Sequence, residues 1–149
     1  MSTTSIFDPD VDARGIWILI HRMAILSTTD DKKAQFINYM TFLSKEFPCE
    51  KCRVHIKQFI IENPFYLYMD VTINGGTDIG MFKWSYNFHN AVNSRLRKKL
   101  VDFNDAYNLY TGDVINVCSS KCDEEKKEEI SPKKEVSQGK IMKLIGKKK

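Results

Sequence analysis

Apolar side chains in the first hundred residues recur every three to four positions. After Asp30 they follow the i, i+3, i+4, i+7 rule, at Phe36, Tyr39, Met40, Leu43 and Phe47. This period is typical of amphipathic helices, whereas a half-buried strand would alternate apolar and polar residues. With 42% hydrophobic residues the chain can also bury a core. The pattern therefore predicts an all-α fold.

Breaks in the pattern separate the predicted helices. The first covers residues 14–27, the second opens at Asp30, the third covers 49–62, the fourth 81–99, and a short fifth follows Asp102. Pro48 restarts the chain, and Pro64 ends the third helix because it disfavours helical backbone at the preceding residue. Residues 65–80 are predicted to be a loop with turns at 74–76, a run also compatible with two short strands. Four or five helices with one long loop predict a helical bundle.

Composition divides the chain into three segments. Residues 1–10 form a polar lead with a turn at 8–10, residues 11–117 form the folded body, and residues 118–149 form a flexible Lys-rich tail with a CxxxC pair. The net charge of +4 is carried entirely by the ten Lys and six Asp or Glu from Ser119 onward. A nucleic-acid surface would need that excess on the folded body, so no nucleic-acid partner is expected.

Neither a membrane span nor a secretory signal is predicted. The longest apolar runs, such as residues 16–20, are far shorter than the ~20 residues that cross a bilayer. The first residues, MSTTSIFDPDVD, contain no basic segment followed by an apolar one. We therefore expect no stable membrane insertion and no secretion.

The four cysteines form two close pairs, Cys49 with Cys52 and Cys118 with Cys122. Three interpretations compete: a zinc site using all four thiolates, inert buried thiols, and dithiol chemistry. Cys49 follows Pro48 at the start of a helix, where the dipole favours a thiolate, and Cys52 lies one turn on, within reach of a disulfide. These local effects favour a redox-active pair. A thioredoxin fold is excluded because it needs alternating strands and helices.

The fourth predicted helix carries an unusual polar stripe. Asn90, Asn93 and Arg97 share one face at i, i+3 and i+7, with His89 beside it, where a bundle helix would normally present Leu or Ile. The stripe is either solvated or bonded to a polar ligand. Together with Trp84, Lys98 and Lys99 it offers an aromatic platform, amides and cations, which suit a dinucleotide cofactor.

These motifs, in this order, resemble the Erv/ALR family of FAD-linked sulfhydryl oxidases. The resemblance rests on WxxxHxxA from Trp17, FPCxxC from Phe47 and WxxxxHNxVNxxL from Trp84. It covers roughly residues 13–99, and it is strongest toward the small versions encoded by large cytoplasmic DNA viruses. The family implies a four-helix bundle that holds FAD, with a short fifth helix, and often a homodimer.

The resemblance also implies roles for individual residues. Cys49 and Cys52 would be the catalytic disulfide, with Cys52 beside the flavin and Cys49 facing incoming thiols. FAD would be bound by Arg14, Trp17, His21, His55, Trp84, His89, Asn90, Asn93 and Lys98 or Lys99. Cellular relatives carry a cysteine where this chain has Tyr86, so their helix-four disulfide is absent here. Cys118 and Cys122 would be either a shuttle disulfide or a local staple, and we favour the shuttle.

The predicted function is an FAD-dependent thiol oxidase that forms disulfides in substrate proteins. Electrons would pass from dithiols through Cys49–Cys52 to FAD and then to O₂, giving H₂O₂. The expected partners are thiol proteins, including a small thioredoxin-like or CxxC/CxC carrier, in the host cytoplasm or virion. The alternative is a non-catalytic helical zinc-binding or interaction module that uses the four cysteines; the oxidase prediction itself includes no metal.

Overall fold

A computed structural model describes residues 9–112 of the chain. Its α-helices are α1 (Pro9–Ile25), α2 (Asp30–Glu46), α3 (Glu50–Glu62), α4 (Gly80–Arg95) and α5 (Phe103–Thr111). Between α3 and α4 lie a 3₁₀ turn, Phe65–Tyr68, and two strands, β1 (Thr72–Ile73) and β2 (Thr77–Asp78). The predicted all-α fold with a short fifth helix is confirmed.

The core lies between two packed helix pairs. Helix α2 packs against α3 and α1 packs against α4, while α5 lies against α1. The largest fully buried side chains are Trp84, Phe36, Phe82, Met40 and Met81. Three of these five belong to the first turns of α4, so this helix runs through the centre of the bundle.

The segment between α3 and α4 contains a tight hairpin. Strands β1 and β2 pair antiparallel, with Thr72 opposite Asp78. The turn between them is made by Asn74, Gly75 and Gly76, all with positive φ, which glycine and asparagine adopt most readily. The predicted turn is therefore confirmed, and the strands beside it are only two residues long.

A buried ion pair fastens this hairpin to α2. The Lys33 ammonium pairs with the Asp78 carboxylate and also donates to the Met69 carbonyl at 2.5 Å. The same carboxylate accepts a hydrogen bond from the Gly80 backbone N–H at 3.0 Å. One pair of side chains thus holds the hairpin and the start of α4 against α2.

Two helix starts differ from the sequence prediction. Helix α1 begins at Pro9, so the turn predicted at residues 8–10 is wrong at Pro9 and Asp10, because proline is well tolerated in the first helical turn. Helix α3 begins at Glu50, and Cys49 is its N-cap rather than a first-turn residue.

Helix α4 ends at Arg95, four residues before the predicted end at Lys99. The chain turns at Arg97, whose φ of 55° is left-handed, and the Lys98 backbone N–H bonds the Asn93 carbonyl at 2.8 Å. This is a helix-terminating geometry. Arg97 therefore does not continue the predicted polar stripe.

Among residues 9–112, no helix has the length and apolar character required to cross a membrane.

Replacing Gly80 by Ala should destabilise the fold. A Cβ there would lie 1.7 Å from the Tyr68 carbonyl oxygen, which is backbone and must move. We expect a loss of about 3 kcal/mol in the free energy of unfolding, measured by urea denaturation. Gly15→Ala is the matched control, because nothing lies within 4 Å of its Cβ position in α1. It should gain up to about 1 kcal/mol, and equal effects of both variants would contradict the packing argument.

Candidate active site

A disulfide joins Cys49 and Cys52 at the start of α3, with Cα atoms 5.1 Å apart. Cys49 caps the helix, and its Sγ accepts a hydrogen bond from the Cys52 backbone N–H at 3.2 Å. Both residues are half-buried and pack against the core. When the pair is reduced, the helix dipole and this N–H favour a thiolate at Cys49.

Arg53 fastens the segment before the disulfide to α3. Its guanidinium donates to the Phe47 carbonyl, just before Pro48 and Cys49, and the side chain is half-buried. The cation lies one residue after Cys52 in sequence. Arg53 therefore both orients the N-terminal end of α3 and adds positive charge near the sulfurs.

A second cluster joins α1 to α4 through two imidazole rings. His21 Nε2 lies 2.9 Å from His89 Nδ1, and His21 Nδ1 lies 2.9 Å from Ser85 Oγ. The Trp17 indole stacks on the His89 ring with centroids 3.9 Å apart and planes 4° from parallel. Tyr110 of α5 places its ring 4.8 Å from that of His21. Three helices therefore converge on the imidazole pair.

Burial keeps both imidazoles uncharged at neutral pH. Desolvation, reinforced by the neighbouring His89, lowers the pKa of His21 from 6.5 to about 3. Desolvation, reinforced by the Lys98 ammonium, lowers the pKa of His89 from 6.5 to about 4. A neutral imidazole has one N–H donor and one acceptor nitrogen, so each of the two rings has one of each.

Two cavities flank the middle of α4. The larger, about 260 Å³, lies between α1, α4 and α5 and is lined by His21, Tyr86, His89, Asn90, Val101, Asp105, Ala106, Leu109 and Tyr110. The smaller, about 130 Å³, lies between α3 and α4 and is lined by His55, Gln58, Phe59, Glu62, Phe88, Ala91, Val92 and Arg95. Cys52 lines neither cavity, but His55 follows it by one helical turn, which places the smaller cavity along the same helix.

The structure brings together part of the predicted FAD set. Trp17, His21 and His89 are in mutual contact, and His89 and Asn90 line the larger cavity. His55 lies apart from them, at the smaller cavity. The predicted cations Arg14, Lys98 and Lys99 are all exposed.

Asn90 and Asn93 mainly fix the backbone between α4 and α5. The Asn90 side chain donates to the Val101 carbonyl at 2.9 Å and accepts from the Val101 N–H at 3.0 Å. Asn93 is buried and donates to Asn90 Oδ1 at 3.4 Å. Their amides thus fix the segment that leads from α4 to α5.

Trp84 is not available as an aromatic platform, which corrects the sequence prediction. Its side chain is 0% exposed, and its indole N–H donates to the Asn63 carbonyl at 2.8 Å. It packs edge-on against Phe36 and Phe59. Trp84 is a core residue because it lies on the face of α4 opposite the exposed surface, one turn before Phe88.

Sequence reasoning did not single out several residues that form the site. These are Ser85, Val101, Asp105, Leu109 and Tyr110. The spacing of Ala106, Leu109 and Tyr110 is an i, i+3, i+4 helical stripe, which was a usable signal for the face of α5 at the cavity. Cys118 and Cys122 lie outside the described residues.

The tyrosine at position 86 ties α4 to the start of α5. Its hydroxyl donates to the Val101 carbonyl at 2.9 Å, and its ring meets Phe103 edge-on at 5.1 Å. The Lys83 ammonium lies over both rings. Non-covalent contacts therefore join α4 to α5 at this position.

Comparisons with known proteins agree with this geometry. The Erv1 / Alr family model matches residues 14–111. An FAD-linked sulfhydryl oxidase of African swine fever virus (isolate Tick/Malawi/Lil 20-1/1983) is 30% identical over 103 residues, covering 67% of this chain and 80% of that protein. The mitochondrial FAD-linked sulfhydryl oxidase ERV1 of Saccharomyces cerevisiae is 29% identical over 101 residues, covering 64% of this chain and 49% of that protein.

A solved structure matches the fold as well. The crystal structure of the yeast Erv1 core superposes with a TM-score of 0.55 at 25% identity, covering 74% of this chain and 92% of that one. The family resemblance drawn from the sequence motifs is therefore confirmed. These matches, together with the helical fold and the CxxC disulfide, show that the chain belongs to the Erv1/Alr family.

Proposed function

We propose that this chain is an FAD-linked thiol oxidase that forms disulfide bonds in substrate proteins. The observation that carries the proposal is the Cys49–Cys52 disulfide at the N-terminus of α3, in a chain of the Erv1/Alr family. The oxidase domain is proposed to comprise residues 11–117, which include the whole of the family match.

The thiol half of the reaction is thiol–disulfide exchange. A substrate thiolate attacks Cys49, the S–S bond breaks, and Cys52 leaves as a thiolate; the second substrate thiol then displaces Cys49. One substrate disulfide forms, and the enzyme pair holds two electrons and two protons. Cys49 suits this role because the cap position stabilises it as the leaving thiolate in the second step.

Bound FAD would supply the redox chemistry between the reduced pair and O₂, so that two thiols and O₂ would give one disulfide and H₂O₂. The donor set fits this cofactor: Trp17 and Tyr110 offer aromatic faces, His89 a neutral imidazole, and Lys98 and Lys99 exposed cations for a diphosphate. Each cavity alone is smaller than the ~300–1,000 Å³ usual for ligand sites, so a dinucleotide would extend beyond either one. Cys52 would face FAD, since it lies one turn from His55 at the smaller cavity.

The proposed partners follow from the thiol oxidation and from the family resemblance. Substrates are thiol proteins, and a thioredoxin-like or CxxC/CxC carrier is one proposed class. A homodimer is also proposed, because the family resemblance implies one. Viral relatives support a viral protein, and we propose the host cytoplasm or the virion as its place of action.

The zinc-binding alternative receives no support. Among residues 9–112 no group of three or more His, Cys, Asp or Glu side chains is placed to hold a metal ion. The disulfide also occupies the sulfurs of Cys49 and Cys52 that a zinc site would need as thiolates. The family match favours the oxidase.

Replacing either Cys49 or Cys52 by Ser should abolish oxidase activity and leave FAD bound. The exchange needs both sulfurs, so oxygen consumption with added dithiothreitol should fall at least about a thousandfold in each variant. The flavin absorption of the purified proteins should persist, because serine is close to cysteine in size and shape and the residues that would bind FAD are unchanged. A colourless wild-type protein that carries zinc would overturn the proposal.

Cys118→Ser separates a shuttle from a staple in the tail. If Cys118 and Cys122 pass electrons to Cys49, the variant should oxidise dithiothreitol at the wild-type rate and a reduced protein substrate at least about tenfold more slowly. A variant that oxidises both substrates at the wild-type rates would contradict the shuttle.

The two tryptophans should respond in opposite ways. Trp17→Ala removes the ring stacked on His89 and should weaken FAD binding about tenfold by calorimetry, with a small change in stability. Trp84→Ala should cost about 4 kcal/mol of stability because it empties a fully buried core position. If Trp84→Ala lowered FAD affinity without lowering stability, its assignment to the core would be wrong.

Acidification should destabilise the fold through the imidazole pair. The unfolded imidazoles titrate near pH 6.5, whereas the folded ones have pKa values of about 3 and 4, so the unfolded state binds more protons in between. The contribution of the two imidazoles to the free energy of unfolding is therefore fully present above pH 6.5 and is lost as the pH falls toward 4. Between pH 7 and pH 5, wild type should lose about 2 kcal/mol more than His21→Gln in urea denaturation. Equal losses would contradict a buried, uncharged His21.

A further inference from the structure

Ser85 lies beneath the imidazole pair and is 0% exposed. Its Oγ is 2.9 Å from the Phe82 carbonyl oxygen and 2.9 Å from His21 Nδ1. A serine hydroxyl has one proton, so it can donate to only one of these two atoms. The position of that proton determines which nitrogen of His21 carries hydrogen.

The Ser85 hydroxyl donates its hydrogen bond to the Phe82 carbonyl. A carbonyl oxygen cannot donate, so if the hydroxyl pointed to His21, two oxygen lone pairs would face each other at 2.9 Å in a buried site. With the proton directed to Phe82, Ser85 Oγ can only accept from His21. His21 Nδ1 therefore carries hydrogen, and its Nε2 is left as an acceptor.

The tautomer of His89 follows from that of His21. Since His21 Nε2 accepts, His89 Nδ1 must donate across the 2.9 Å contact between the rings. The second nitrogen of the neutral His89, Nε2, is then an acceptor. Within residues 9–112 it has no hydrogen-bond partner, yet it is not a buried unsatisfied atom, so it is accessible from outside the cluster.

Packing fixes the orientation of the His89 ring, so only the tautomers of the two imidazoles remain to be assigned. The Trp17 indole, 3.9 Å away and nearly parallel, holds the plane of the His89 ring. The charged or titratable groups near the pair are Lys98 after α4, Arg22 on α1, and Tyr86, Asp105 and Tyr110, which line the cavity beside both imidazoles. Within residues 9–112, Lys98, Tyr86, Asp105 and Tyr110 form no hydrogen bond with either imidazole. The Ser85 hydroxyl therefore determines which nitrogens of the two imidazoles carry hydrogen.

We propose that Ser85 is a positioning residue that sets the tautomers of His21 and His89, so that His89 Nε2 offers an acceptor to an N–H or O–H donor of FAD. The inference rests on the proposed function, because it takes FAD as the ligand. FAD has donors in its amine, imide and hydroxyl groups, whereas its phosphates only accept. An acceptor nitrogen selects the first kind and repels the second, so His89 is not a phosphate ligand.

The test reads the tautomers directly. Long-range ¹H–¹⁵N spectra of the FAD-free protein assign the protonated nitrogen of each histidine, and calorimetry gives the affinity for FAD. The variant is Ser85→Ala, which removes the hydroxyl without adding volume. Ser44→Ala is the matched control, since Ser44 is also buried and bonds the carbonyl three residues earlier, Thr41, at 2.6 Å, but has no histidine partner.

Wild type should show hydrogen on Nδ1 of both His21 and His89, and Ser44→Ala should be identical. Ser85→Ala should show both tautomers and bind FAD about fivefold more weakly, the value of one hydrogen bond. Hydrogen on Nε2 of either ring in wild type, or unchanged tautomers and affinity in Ser85→Ala, would overturn the inference. If wild type binds no FAD, the proposed function fails, and the tautomers still test Ser85 by themselves.

Discussion

The burial of α4 between the other helices is the constraint on which both the core and the site depend. Its first turns place Phe82 and Trp84 at the centre of the aromatic cluster. Its middle then carries Ser85 and His89 against α1. Because one helix serves both purposes, the imidazoles lie on a rigid element, and their positions follow from core packing rather than from a loop.

The fold was largely predictable from the sequence because its signals are local. Helical period, Pro48, Pro64 and the N-cap Asp102 act within one or two turns, and the structure follows them. The ends of α1 and α4 were less predictable. Pro9 is compatible with either a turn or a first helical turn, and the left-handed Arg97 carries no glycine to announce the end of α4.

The site was predictable only in part, because a motif gives residue types and not the direction in which they point. The pattern that begins at Trp84 led to an aromatic platform, yet the indole is turned inward to the Asn63 carbonyl. Asn90 was expected at the ligand, and its amide instead bonds the backbone of Val101. Ser85 was missed because a buried serine has no pattern of its own; its importance appears only when His21 is placed beside it.

The cap at Cys49 has a consequence for turnover. The same sulfur that exchanges with substrate also caps the start of α3, so the redox state of the pair and the order of that helix end are linked. A thiolate accepts the Cys52 N–H more strongly than a disulfide sulfur does, so the helix end becomes firmer when electrons arrive.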